Sequence, residues 1–342
     1  MRADSSKSAN RLERILEVMV EKDRIAIVSH VDPDGDSIGS QIALGNFLQS
    51  LGKEVVLVNQ DEIPSRYRFL DPEKRIKRSF KSLRPDLVVV VECSNLNRVG
   101  KLKEEIPSGT TVLNIDHHLD NSLFGTINYL DTDASATGEM VYDLLRHADY
   151  AFDPNTASAL YTAILTDTGR FSFSNTTPRT FTTCAQLVGL GVDPKFISDQ
   201  LYSNHPEGCL RLLGSVLEKF ELLGKGRYCS LVITHQLLED FGVNPQNTEG
   251  FVDYTLFVNG VTVGALFVET SAGTVRVSLR SQGSIDVSAV ARVFGGGGHP
   301  NASGLILNQD LHKVKEMVDQ EIMKVLRYDG TKKKRGPELV KG

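Results

Sequence analysis

The side chains in this sequence best suited to hold metal ions and move protons all follow apolar runs. His30, Asp34 and Asp36 fall within seven positions of one turn, His30-Val31-Asp32-Pro33-Asp34-Gly35-Asp36, directly after RIAIVS. Glu92 follows DLVVVV, Asp116-His117-His118 follows the run from Thr111, and Asp167 closes a helical pattern at Thr166-Asp167-Thr168-Gly169. Gathering so many carboxylates is costly, because like charges raise one another's pKa and oppose ionisation. Bound divalent cation removes that cost. A mixed set of carboxylates and imidazoles suits Mn²⁺, with Mg²⁺, Co²⁺ or Zn²⁺ as alternatives. So many acids for so few histidines points to two ions. Side chains alternate along a strand, so His117 and His118 should diverge unless the strand has already turned, and they read as two roles. An Asp after a strand is also a common helix N-cap, and Asp36 or Asp133 could be only that. Asp167-Thr168-Gly169 alone could be a simple turn.

The elements that must carry these residues are legible in the spacing of apolar positions. Arg11 to Lys22 has helical periodicity, Arg24 to Ser29 reads as a strand, and Ser37 to Leu51 as a helix. A second strand, Glu54 to Asn59, completes a βαβ unit, which predicts a largely parallel sheet. Asp86 to Val91 is apolar throughout, as in a central strand covered on both faces. Thr111 to Ile115 is the next strand. In an open α/β sheet, ligands bind at the carboxyl ends of the strands, where three of these acidic stretches fall, and the fourth, at Asp167, ends a helix expected to pack beside them. Helices follow at Ala134 to His147, Pro154 to Thr166 and Thr177 to Leu190, and Asp193 to Pro206 reads as a connector.

After Gly208 the texture changes to a smaller α+β domain. A helix from Gly208 to Leu223 precedes strands at Tyr228 to Thr234, Val261 to Glu269 and Thr274 to Arg280. A helix at Asp286 to Phe294, the run Gly295-Gly296-Gly297-Gly298-His299, a short strand Leu305 to Leu307 and a helix Leu311 to Leu326 complete it. Bare backbone N–H groups in the glycine run would form an anion nest. The run lacks the Lys of a Walker A loop and the spacing of a dinucleotide fingerprint. Phosphate or nucleotide binding without ATP hydrolysis is the expectation, with Arg280 joining the same pocket.

The 342 residues predict two domains, and 40% hydrophobic with 24% charged content is that of a soluble globular chain. Neither a membrane-spanning run nor a signal-peptide core follows Met1, and Cys93, Cys184, Cys209 and Cys229 form no CxxC pair. Both observations predict a cytoplasmic protein with reduced thiols. The net charge of −5 includes the basic run Lys332 to Arg335, expected to be a disordered end, as are residues 1 to 10. The balance argues against long duplex held on a broad basic face.

The motifs HVDPDGDSIGS, VVVECSNLNRVG, NIDHH, TDTGRF and GGGGHPNASG, in this order, resemble the DHH/DHHA1 phosphoesterases. The branch most similar is the nano-RNase-type oligoribonucleases, RecJ-like enzymes that also act as 3′-phosphoadenosine-5′-phosphate phosphatases. The resemblance covers about residues 24 to 310. It implies an α/β fold, with a parallel-sheet DHH domain at 1–190, a helical linker at 191–212 and a smaller α+β DHHA1 domain at 213–328, before a basic tail at 329–342. Position by position it implies one metal on His30 and Asp34, the other on Asp36 and His117, and Asp167 at the pair. His118 would face the substrate phosphate or leaving group, Asp116 would support the histidines, and Arg98 would brace the site. Arg280, Gly296, Gly297, Gly298 and His299 would hold the nucleotide. Glu92 stands where the family carries a metal-bridging Asp, one methylene longer.

The chemistry implied is hydrolysis by water activated between two divalent ions, Mn²⁺ foremost, with in-line attack on phosphorus. The partners implied are short single-stranded oligonucleotides or small nucleotides, cleaved to monophosphates, with no membrane and with room for a homodimer. Alternatives are a cyclic or linear dinucleotide phosphodiesterase, or a nucleotide sensor in which Glu92 marks an impaired site.

Overall fold

The computed structural model describes residues 2–271 and 273–332, with side chains from residue 10 to residue 327. The chain divides into two compact units, Met1–Asn204 and His205–Gly342. In the first, α1 (Arg2–Glu21), β1 (Arg24–Val28), α2 (Gly35–Ser50) and β2 (Glu54–Val58) are followed by the short strand β3 (Ile76–Lys77). Then come β4 (Leu87–Val91), β5 (Thr111–Asp116), β6 (Ile127–Leu130), α3 (Thr137–His147), α4 (Pro154–Asp167), α5 (Pro178–Gly189) and α6 (Pro194–Tyr202). A 3₁₀ segment, Leu96–Glu105, connects β4 to β5.

The sheet runs β3-β2-β1-β4-β5-β6, every pairing parallel, as the βαβ reading requires. Its central strands are buried on both faces. Ile25, Ile27, Val89, Val91, Leu113 and Ile115 pack under α2, α3 and α4. Ala26, Val28, Val58, Val88 and Val90 pack with Phe80, Val99 and Leu102 on the other face. The alternation has the period of two that a strand imposes.

The second unit contains α7 (Glu207–Leu217), β7 (Glu221–Leu223), β8 (Tyr228–Ile233), α8 (His235–Asp240), β9 (Val263–Ser271) and β10 (Thr274–Ser281). It continues with α9 (Val287–Val293), β11 (Gly297–His299), β12 (Ala302–Leu307) and α10 (Leu311–Lys332). The sheet order is β11-β12-β10-β9-β8-β7, mixed in direction, with β8 and β9 parallel and the other pairs antiparallel. Val275, Val277 and Leu279 face α9 and α10, while Leu231, Ile233, Leu266 and Val268 face α7 and α8.

Several expectations change. The N-terminal helix starts at Arg2, so residues 2–10 form its first turns. The helix expected to run to Leu223 stops at Leu217, because Glu221 to Leu223 pair with Tyr228 to Ser230 as an edge strand. The connector after Asp193 contains α6, which Asp193 caps through the N–H groups of Lys195 and Phe196, with Pro194 at its first position. Helix α10 continues to Lys332, so the basic tail is helical over 329–332, and residues 333–342 lie outside the described ones. Among the described residues no helix is long and apolar enough to cross a membrane, and all four cysteines are free and buried.

The glycine run is not an open nest. Gly295 has φ +77°, the left-handed conformation that ends α9, and its N–H bonds Arg292 O. The Gly296 N–H bonds Ala291 O, and Gly297 to His299 pair with β12. A Cβ on Gly296 would lie 2.2 Å from Gly304 O, and one on Gly298 2.7 Å from Ala302 O. These two glycines are therefore demanded by the hairpin itself.

Candidate metal centre

Three strand ends and one helix end deliver the acidic stretches to one place. His30 lies two residues past β1, Glu92 one past β4, Asp116 ends β5, and Asp167 ends α4. How α4 reaches the site is visible in its packing on α2. A Cβ on Gly35 would stand 2.4 Å from Thr166 Oγ1, and one on Gly39 2.3 Å from Ala159 O. Without side chains at those positions the two helices close on each other, and Asp167, next after Thr166, is carried to Asp36. Gly138 does the same for α3, since its Cβ would lie 2.5 Å from the Ala163 methyl.

Asp36, Glu92, His117 and Asp167 each present a ligand atom, all within 4.8 Å of one another. His117 Nε2 stands 3.4 Å from Asp167 Oδ2, 3.5 Å from Glu92 Oε1 and 3.9 Å from Asp36 Oδ2. His117 Nδ1 faces the Ala134 carbonyl at 3.0 Å, so Nδ1 is the protonated nitrogen and Nε2 is directed at the carboxylates. His30 is arranged alike: Nδ1 donates to Val31 O at 2.8 Å and Nε2 lies 3.6 Å from Asp34 Oδ2. The donor set, carboxylate oxygens with correctly presented imidazole nitrogens, fits hard divalent cations.

The helix-cap question resolves residue by residue. Asp34, not Asp36, caps α2, accepting from Ser37 N at 2.9 Å while Ser37 Oγ accepts from its own N–H. Asp36 caps a different helix. Helix α3 follows Ala136, which has no side chain for the cap, and Asp36 supplies it by accepting from the N–H of Thr137 at 2.7 Å and of Gly138 at 2.8 Å. Thr137 also donates its hydroxyl to Glu92 Oε2. Sequence reading missed Thr137 and Gly138; the available signal was a helix opening on Ala-Thr-Gly with no capping side chain.

His117 and His118 both lie past the end of β5, and they do not diverge. Glu92 Oε1 is 3.5 Å from His117 Nε2 and 3.5 Å from His118 Nδ1. Glu92 itself has φ +58°, a left-handed backbone that costs a non-glycine residue about 1 kcal/mol or more. Asp116 accepts from His118 Nδ1 at 2.8 Å and from Asn121 Nδ2 at 2.6 Å, which orients the ring. Asn121 was also missed, as was Asn175, whose amide lies 3.4 Å from Asp167 Oδ2 and 3.1 Å from Asp167 O. Asp32 is exposed and its N–H bonds Asp61, which keeps it out of the cluster. The Arg98 carbonyl accepts from Val31 N at 2.7 Å, steadying the His30 turn through backbone.

The electrostatics are those of carboxylates and imidazoles crowded together out of water. Burial pushes the Asp36 carboxyl well above its ordinary range, and the charges of Glu92 and Asp167 push it further. Burial works against the His117 imidazolium, but the same two carboxylates outweigh it and raise His117 well above its usual value. For Asp34, which is only half-buried, the cost of partial desolvation is overcome by His30 and by the Ser37 N–H, which hold it down at about 2. Burial likewise opposes charge on Asp116, yet His118 and Asn121 keep that carboxyl low.

A pH test follows. Groups whose folded pKa is raised stabilise fully below their unfolded value and lose that contribution as pH rises through the folded one. Asp36 and His117 both have raised values, so chelator-treated protein should melt lower at about pH 8 than at about pH 6. Saturating divalent ion should remove most of that difference. Thermal scans at both pH values check it; a chelated protein more stable at the higher pH would contradict the assignment.

In the second unit, Arg280 pairs with Ala302, and Ala302 with His299, so the three share one row across β10, β12 and β11. Arg280 Nε donates to Asp253 Oδ1 at 3.0 Å.

The DHH family, N-terminal domain, matches residues 24–164, and the DHHA1 domain matches residues 227–324. The bifunctional oligoribonuclease and PAP phosphatase NrnA of Thermus thermophilus is 35% identical over 305 residues, covering 87% of this chain and 90% of that protein. Its Bacillus subtilis namesake is 31% identical over 287 residues, 82% of this chain and 88% of that one. Among solved structures, an exopolyphosphatase-related protein from Bacteroides fragilis has a TM-score of 0.85 at 26% identity, covering 93% of this chain and 98% of that chain.

Proposed function

We propose, because this chain belongs to the DHH family and carries a DHHA1 domain, that it hydrolyses short oligoribonucleotides to nucleoside monophosphates and 3′-phosphoadenosine-5′-phosphate to AMP. The observation that carries the reading is the convergence of Asp36, Glu92, His117 and Asp167 within 4.8 Å. The similarity to the NrnA proteins supports the choice of substrate.

In this reading His30 and Asp34 would hold one divalent ion and Asp36 and His117 the other, with the carboxylates of Glu92 and Asp167 available beside them. Mn²⁺ is the ion proposed. Such ions lower the pKa of water toward neutrality and neutralise charge developing on the phosphoryl oxygens. The rest is the work of side chains. Thr137 and the N–H groups of α3 fix the carboxylates of Glu92 and Asp36 before any ligand arrives. Asp116 and Asn121 hold His118 so that its other ring nitrogen can give a proton to the departing oxygen. Arg98 braces the turn that carries His30. The cytoplasm is the proposed setting, and homodimerisation belongs to the same proposal.

The second unit is assigned to nucleotide holding. Arg280, oriented by Asp253, and His299 supply the polar groups, with Gly296, Gly297 and Gly298 beside them. Gly297 supports this assignment: it has negative φ and nothing within 4 Å of its missing Cβ, so neither strain nor crowding explains its glycine. A bare backbone is what a closely approaching ligand needs.

One assay tests the whole proposal: Mn²⁺-supplied protein against a dinucleotide, 3′-phosphoadenosine-5′-phosphate, cyclic di-AMP and pyrophosphate side by side. Turnover of the first two is expected, and turnover of pyrophosphate alone would refute it. Replacing Arg280 or His299 by alanine should raise KM for the dinucleotide about tenfold, the worth of one hydrogen bond to a charged group. Hydrolysis of bis-p-nitrophenyl phosphate should change much less, since that ester offers no nucleoside to grip. Equal losses on both would remove these residues from the role.

A further inference from the structure

The segment from Pro64 to Arg84 contains eight basic and two acidic residues, a net +6 in a chain of net −5, which leaves −11 for the remainder. A net positive excess is therefore concentrated in this segment, and the fold decides where it lies. Lys77 is level with Val58, and Val58 with Val28, so the end of β3 lies at the same carboxyl edge as the end of β1. Two strand spacings separate them, about 10 Å. Arg78 follows Lys77 directly, and His30 lies two residues beyond Val28.

The 3₁₀ segment Leu96–Glu105 spans the interval. The Arg98 carbonyl is bonded to Val31 beyond β1, and the Lys101 N–H bonds Gln60 Oε1 beyond β2 at 2.7 Å. Glu105 accepts from Ser79 Oγ at 2.8 Å and from Phe80 N at 2.9 Å, beyond β3. The segment thus carries Lys101 and Lys103 from the His30 turn toward Arg78 and Lys81. All four of these side chains are exposed. None of the four makes an ion pair among the described residues, although other basic residues of the unit do, such as Arg24 with Asp86 and Arg75 with Asp71. The nearby acids are few: Glu105 is engaged by Ser79 and Phe80, Asp61 receives the Asp32 N–H, and Glu62 and Glu104 are exposed.

We infer that Arg78, Lys81, Lys101 and Lys103 form a track for the phosphates of single-stranded RNA, leading from the metal centre along the carboxyl edge of the sheet toward β3. The inference rests on the proposed oligoribonucleotide substrate and extends it. A dinucleotide has one internucleotide phosphate, which the reaction itself occupies, so only longer chains reach the track. The track binds phosphates by charge, which makes it sensitive to salt and tolerant of sequence.

The test uses the full chain with Arg78→Gln, Lys81→Gln and Lys101→Gln combined, exposed changes outside the metal-binding residues. For a pentaribonucleotide, KM should rise about tenfold, and the slope of log KM against log salt should fall by about 2, at roughly 0.7 for each phosphate no longer neutralised. KM for a dinucleotide should stay within about twofold, since that substrate does not extend to these side chains. An unchanged pentaribonucleotide KM, or an equal rise on both substrates, would overturn the track. Should the unaltered chain fail to cleave a dinucleotide, the functional reading falls by itself. Fluorescence anisotropy with a labelled pentaribonucleotide then decides the track, because equal binding by both proteins would overturn it.

Discussion

Asp167→Ala is expected to reduce dinucleotide turnover by more than about 100-fold, beyond the tenfold to 100-fold typical of groups that merely support metal ligands. Its carboxylate stands 3.4 Å from His117 Nε2 and faces the same centre as Asp36 and Glu92. Divalent-ion stoichiometry under saturating Mn²⁺ should fall from near two per chain. The fold should not suffer. Asp167 ends α4, where the helix dipole disfavours a negative charge, and it adds to the crowding that raises Asp36. Against these stands the lost contact with His117, so metal-free Asp167→Ala protein should melt close to the temperature of the unaltered metal-free protein. That combination distinguishes a ligand from a structural residue. Full turnover in the variant would remove Asp167 from the site, and a lower apo melting temperature with retained metal would make its role structural.

Glu92→Gln should cost metal affinity and rate together, again by more than about 100-fold, because it deletes a negative charge from among the imidazoles and carboxylates while keeping the shape. Both histidines lie 3.5 Å from Glu92 Oε1, and Thr137 holds the other oxygen. The amide can still accept from Thr137, so the variant should fold. Glu92→Asp is the informative partner. Asp tolerates the left-handed backbone at this position better than Glu, yet it falls a methylene short of the histidines. Retained activity would mean the strand end can advance, whereas a large loss would mean the site is built around the longer acid. Unchanged metal content and rate in Glu92→Gln would place Glu92 outside the coordination sphere and favour the nucleotide-sensor alternative.

Which residues are chemically capable, and which strand ends carry them, was decided by local sequence. A βαβ unit of apolar strands makes a parallel sheet, and its carboxyl edge is where the acidic turns fall, so the DHH half of the fold and the set of candidate ligands were legible from periodicity and motif. The second half was less so. Gly297 to His299 reads as a loop until β12 is available to pair with it, and Glu221 to Leu223 continues a helical pattern until β8 competes for its backbone. Strand pairing is non-local, and no window of sequence contains both partners.

The same holds inside the site. Local sequence identified Asp36 as an acid near a helix start and left open whether it capped that helix; the N–H groups it satisfies belong instead to Thr137 and Gly138, 101 and 102 residues away. Nor could spacing show that Gly35, Gly39 and Gly138 are the bare surfaces on which three helices close to deliver Asp167. Ligand type is a property of single residues and their immediate neighbours, so sequence determined it. The distances among ligands, the caps that hold them and the alignment of the basic segment with the same sheet edge depend on packing between distant elements, and only the tertiary structure decided them.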